Sequence, residues 1–171
     1  MTTLVSSIQN TPLLRGVITA LVIILAIIFA LGDVQAAQSQ DLEMEQWLKA
    51  RFSEQHQALI PLVAVADMLY SCEKERNVGE QLSVKSMLTQ LDKNTLAEKL
   101  MLCLAQTSLQ SDIALNFGLK ACFEEQLAEL AADERQQKMA LVAQAITELS
   151  RAERQKSFTK CVTAQAIDYL R

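Results

Sequence analysis

Four cysteines offer the most chemistry in this chain, and each follows an apolar residue three positions earlier. LYSC ends at Cys72, LMLC at Cys103, LKAC at Cys122 and FTKC at Cys161. Such sulfurs can be disulfides, metal ligands, redox thiols or small core residues. On a helix, residue i−3 shares a face with residue i. Leu69, Leu100, Leu119 and Phe158 therefore put each sulfur on a buried seam. A redox thiol wants Cys-x-x-Cys at a helix N-terminus, where the dipole lowers its pKa. No two cysteines here stand that close. A zinc site wants ligands at short spacing, and His56 is the only histidine. A cysteine-based metal or thiol protein is thus a second alternative, and the sequence predicts no catalytic residue, metal or cofactor.

The remaining titratable groups read as surface. His56 sits in SEQHQA, a polar stretch that predicts an exposed helix face. Glu124–Glu125 and Asp133–Glu134 read as solvated helix surface and as charge matched to helix N-termini. No nucleophile elbow, phosphate loop or metalloprotease motif occurs, so an enzyme is not expected. Net charge is −4 with no basic face, which argues against nucleic acid as a partner.

The segment ahead of the cysteines sets their chemistry. Arg15 precedes an apolar run from Val17 to Leu31, fifteen residues that reach Asp33 without a charge. A spanning helix needs about 20 residues and a signal-peptide core about 7–15. Val34 and Ala36 place small residues at the −3 and −1 positions of a cleavage site before Ala37. The favoured reading is a signal peptide over 1–36. The rival is an uncleaved membrane anchor, with Arg15 at the inner face. Either way the charge bias sends residues after Asp33 out of the cytosol, into the periplasm of a bacterium. An even cysteine count in an oxidising compartment predicts two disulfides. Cys72–Cys103 with Cys122–Cys161 is the first choice, because each bond then joins helices separated by one other. Cys103–Cys122 with Cys72–Cys161 is the next.

The elements that hold these sulfurs are helical. Half the residues are apolar, Gly and Pro total six, and good helix formers dominate. The first mature helix is capped by Ser39 or Asp41, carries Leu48, Phe52, Leu59, Leu62, Ala66 and Leu69, kinks near Pro61 and stops at Gly79. A short helix aligns Val84, Leu88 and Leu91. The next runs Thr95–Leu109 behind Asn94. Another is capped by Ser111 or Asp112 and carries Leu115 through Leu130. Asp133 restarts a helix with Met139, Val142, Ile146 and Leu149 on one face. Ser150 and Glu153 form a capping box for the last helix.

The expected fold is all-α, a compact bundle of five to six antiparallel helices with short loops, behind an N-terminal hydrophobic signal or anchor helix. Residues 37–171 form a single disulfide-stabilised domain. An exported, catalytically bare helical protein works by binding, as an inhibitor, immunity factor, chaperone or assembly accessory. Its partner is another envelope or secreted protein, met through a surface that includes Trp47 and Phe52. The alternative is a single-pass inner-membrane subunit with a periplasmic helical domain, which contacts the inner membrane only if the N-terminal helix stays uncleaved.

Overall fold

A chain this rich in helix formers and poor in Gly and Pro folds as helices. A computed structural model describes the backbone of residues 12–105 and 107–171, and the side chains of residues 42–105 and 107–171. Among the described residues the regular structure is helical: α1 (Pro12–Arg76), α2 (Val84–Gln90), α3 (Lys93–Leu104), α4 (Asp112–Gln126), α5 (Ala132–Glu148) and α6 (Arg151–Tyr169). The chain divides into two units, Met1–Arg51 and Phe52–Arg171. The side chains of the apolar run Val17–Leu31 and of the expected cleavage site at Ala36 lie outside the described residues. Among the residues that are described, no helix is long and apolar enough to cross a membrane.

Local chemistry sets the helix ends. The Ser83 side chain accepts from the Ser86 N–H, and Ser111 accepts from Ala114. The Asp92 carboxylate accepts the N–H groups of Asn94 and Thr95 and so displaces Asn94 as the cap of α3. Ser150 and Glu153 form the expected capping box. No helix starts at Ser39 or Asp41, because the backbone of α1 is already helical there.

Three boundaries differ from the sequence reading. α1 passes through Pro61, whose ring stands exposed, without ending. It stops at Arg76: Asn77 takes the left-handed conformation (φ 53°) and the Val78 N–H donates to the Glu73 carbonyl at 3.0 Å. That is a Schellman closure, in which Asn77 has the role expected of Gly79. α3 ends at Leu104 rather than Leu109, because Ala105 turns to φ 57° and its N–H donates back to Leu102. α4 ends at Gln126, which leaves Leu127 and Leu130 in the turns that follow.

In the second unit the core is two apolar clusters. The first gathers Ala66, Leu69 and Cys72 of α1 with Val84 and Met87 of α2, Leu96, Leu100 and Cys103 of α3, and Ala114 and Phe117 of α4. The second gathers Val63 of α1, Leu115, Leu119 and Cys122 of α4, and Phe158, Cys161, Val162 and Ala166 of α6. α1 and α4 serve both, and each cluster holds one disulfide. Cys72–Cys103 and Cys122–Cys161 both span 6.2 Å between Cα atoms, an ordinary separation for the bond. They close loops of 31 and 39 residues, each worth about 4 kcal/mol in the chain-entropy account.

α4 and α6 run parallel, a consequence of α5 returning between them. Asp112 meets Arg151, Asn116 meets Arg154, Cys122 meets Cys161, and Glu125 meets Tyr169. Gly118 lies one turn before Cys122, and Phe158 fills the space a side chain would take there. A Cβ on Gly118 would overlap the end of that ring. Phe158 is itself buried in the second cluster.

Gly118→Ala is therefore expected to cost about 1–3 kcal/mol by overpacking, despite Ala's better helix propensity. In a Phe158→Leu background the same change should cost distinctly less. Urea unfolding followed by circular dichroism checks this, and equal costs in the two backgrounds would contradict the packing described.

Candidate functional site

Beside the second disulfide lies a polar chain that the sequence reading did not single out. Asp67 sits on the buried face of α1 with no exposed surface. The Gln165 amide on α6 donates to Asp67 Oδ1 at 3.1 Å and to Tyr169 Oη at 3.1 Å. The Tyr169 hydroxyl in turn donates to Glu125 Oε1 on α4 at 2.6 Å. Gln165 Oε1 lies 3.0 Å from Cys122 Sγ. A sulfur in a disulfide carries no proton, so this is a packing contact and not a hydrogen bond. Asp67 Oδ2 is buried without a partner.

Environment fixes the protonation of this chain. Burial drives the Asp67 carboxyl well above the usual carboxylate range; the Gln165 hydrogen bond pulls it down in part, and the negative Glu125 pushes it up. Burial and then the hydrogen bond to Glu125 raise the Tyr169 hydroxyl above its ordinary value. The outer end is reachable: Glu125 lines a pocket of about 230 Å³ with Tyr70, Ser83, Glu124 and Arg135. The inner end is sealed, so this arrangement holds three helices in register and offers Asp67 no substrate. A lone acid inside the apolar stretch ALIPLVAVADMLY, in step with Val63, was the signal available in the sequence.

Each residue singled out from the sequence has a definite place. All four cysteines are in disulfides, which leaves no thiolate as nucleophile or ligand. Among the described residues, no group of three His, Cys, Asp or Glu is placed to hold a metal. His56 is half-buried rather than on an open face. Its Nε2 donates to the Thr163 carbonyl at 2.9 Å, which ties α1 to α6. Phe52 is 44% exposed and stacks on His56, with centroids 6.2 Å apart. Trp47 belongs to the first unit, is 55% exposed and lies under the Arg51 guanidinium. Met44, Trp47 and Leu48 share one exposed helix face there by spacing, while Glu45 and Lys49 pair at 2.7 Å. Glu124 and Glu125 are not freely solvated: Lys74 pairs with Glu124, and Tyr169 donates to Glu125.

A second feature is an apolar groove of about 340 Å³ between α4, α5 and α6. α5 supplies much of its wall and buries none of its residues fully. Compared with known protein families, characterised proteins and solved structures, the chain matches none.

The raised Asp67 carboxyl carries a pH signature. Between the ordinary carboxylate value near 4 and the raised folded value, the folded chain binds more protons than the unfolded one. Stability at this site therefore falls as pH rises across that interval. Asp67→Asn removes the penalty. The advantage of the variant over the parent is expected to grow between pH 4 and pH 8 by at least about 1 kcal/mol, the scale of one unpaired buried polar atom. A constant difference in melting behaviour across that range would contradict the assignment.

Proposed function

We propose that this is an exported, non-catalytic helical scaffold that works in the periplasm by binding another envelope or secreted protein. Two buried disulfides support the export half of that reading, since such bonds persist in oxidising compartments. The binding half is carried by the first unit, where Met44, Trp47 and Leu48 stand in solvent on one face of a helix. Helices bury such stripes against a partner's groove, and Trp is the residue most often found at the energetic centre of an interface. The disulfide-locked second unit pays little ordering cost on association. Inhibitor, immunity factor, chaperone and assembly accessory all share this mechanism.

A second reading is a single-pass inner-membrane subunit with the same periplasmic unit. The apolar run Val17–Leu31, which Leu13, Leu14 and Gly32 bring close to spanning length behind Arg15, supports it. An intact mass that starts at Ala37 excludes it.

Two measurements test the proposal. Alkaline phosphatase fused after Arg171 is expected to be active, since that enzyme works only outside the cytosol; an inactive, stably made fusion contradicts export. A photo-crosslinking residue at Trp47 in living cells should give one discrete protein adduct, lost in Met44→Asp and Leu48→Asp. No adduct, or one that survives both changes, contradicts binding through this stripe.

A further inference from the structure

The end of α6 is held against the second disulfide by two side chains. Gln165 stands one turn beyond Cys161, and its Oε1 lies 3.0 Å from Cys122 Sγ. Cys122 and Cys161 are both buried. The amide of the same Gln165 donates to Asp67 on α1 and to Tyr169, and Tyr169 donates to Glu125 on α4. Tyr169 also packs against both apolar clusters. Farther back, His56 of α1 holds the Thr163 carbonyl. Gln165 and Tyr169, with the buried Ala166, therefore moor residues 164–169 to the neighbouring helices.

Asp67 is the weak point of that mooring. It has no exposed surface, and its Oδ2 finds no donor. The groups around it bring no opposite charge. On α6 they are Gln165 and Tyr169, and on α4 the acid Glu125. The pocket that Glu125 lines holds Tyr70 of α1, the uncharged Ser83 and Val84, Glu124 and Arg135 of α5. Its cations are engaged: Lys74 of α1 pairs with Glu124, and Arg135 donates to the Ala128 carbonyl at 3.3 Å. An ionised carboxylate buried without a counter-charge is strongly disfavoured. Burial accordingly raises the Asp67 carboxyl above its ordinary range.

In water the same group ionises near its ordinary value of about 4. Above that pH, uncovering Asp67 releases a proton. Each further pH unit then favours an uncovered form by about tenfold, until the covered carboxyl itself ionises. Helix ends open more readily than helix centres. Asp67 lies well inside α1, and the bond to Cys122 fixes α6 as far as Cys161. The segment left to lift is the end of α6, which stops at Tyr169.

We propose that Asp67 is a proton-operated latch: protonated, it holds residues 164–169 closed over the Cys122–Cys161 bond, and by giving its proton to water it lets those turns lift and opens that bond to a reductant. The Tyr169 hydroxyl, raised above its ordinary value, stays a donor throughout the range in which the latch works. The Cys72–Cys103 bond lies in the other cluster and serves as an internal reference. This inference is independent of the export and partner-binding readings.

The test uses the intact protein with both bonds formed and a water-soluble phosphine as reductant. The phosphine gives two electrons to the sulfurs, the two thiols take their protons from water, and the phosphine leaves as its oxide. Alkylation and peptide mapping give the initial rate for each bond between pH 5 and pH 7, and the ratio of the two rates cancels the phosphine's own pH dependence. Reduction of Cys122–Cys161 relative to Cys72–Cys103 should rise at least about tenfold over that range. Asp67→Asn keeps the shape and an acceptor for Gln165 but cannot ionise, and its ratio should stay flat. Tyr169→Phe removes a tie and leaves the acid, so its ratio should be higher at every pH with the slope kept. A parent ratio that does not change with pH, as global unfolding of both clusters would give, overturns the proposal. So does a slope that survives Asp67→Asn, or a Tyr169→Phe ratio no higher than the parent's.

Discussion

Everything in the second unit hangs on where its two disulfides fall. Each joins helices separated by exactly one other, α1 to α3 and α4 to α6. Each also sits inside its own apolar cluster. A crosslink at the centre of a packed cluster restrains the unfolded chain and fixes the side chains around it in one arrangement. The parallel seam of α4 and α6 is the clearest result. With Cys122 and Cys161 bonded, Gly118 must accept Phe158, and the arginines at the start of α6 must meet Asp112.

The polar chain from Asp67 to Glu125 meets the second disulfide at Gln165. A buried acid with a bare oxygen costs stability, and a hydrophobic replacement would often be neutral or better. What such a group offers is register: Gln165 satisfies Asp67 and Tyr169 together only when α1 and α6 hold one relative position. The His56 bond to the Thr163 carbonyl repeats the tie elsewhere along the same pair of helices. α5 has neither a disulfide nor a buried residue, and it is the element left to cover an open groove.

Helix content, the capping box at Ser150 and the placing of every cysteine on a seam were legible because they depend on composition and on spacings of three and four residues. The two bonds follow one rule, that a single intervening helix brings the seams of its neighbours together. Helix ends were less legible. Asn94 and Asp92 are both good caps by type, and only the path of the chain shows that Asp92 captures the two N–H groups. Asn77 and Gly79 both take positive φ, and the Val78 hydrogen bond decides which one closes α1. The candidate sites were hidden for another reason. Gln165 and Asp67 lie 98 residues apart, and the groove takes its wall from α4, α5 and α6 together. Neither fact is local.

The most direct test of this account is a non-reducing peptide map of the protein taken from its native compartment. It should return two crosslinked peptide pairs, one holding Cys72 with Cys103 and one holding Cys122 with Cys161, and no alkylatable thiol. A Cys103–Cys122 peptide, or four thiols free to react, would contradict the two locked clusters on which the fold and the export reading rest.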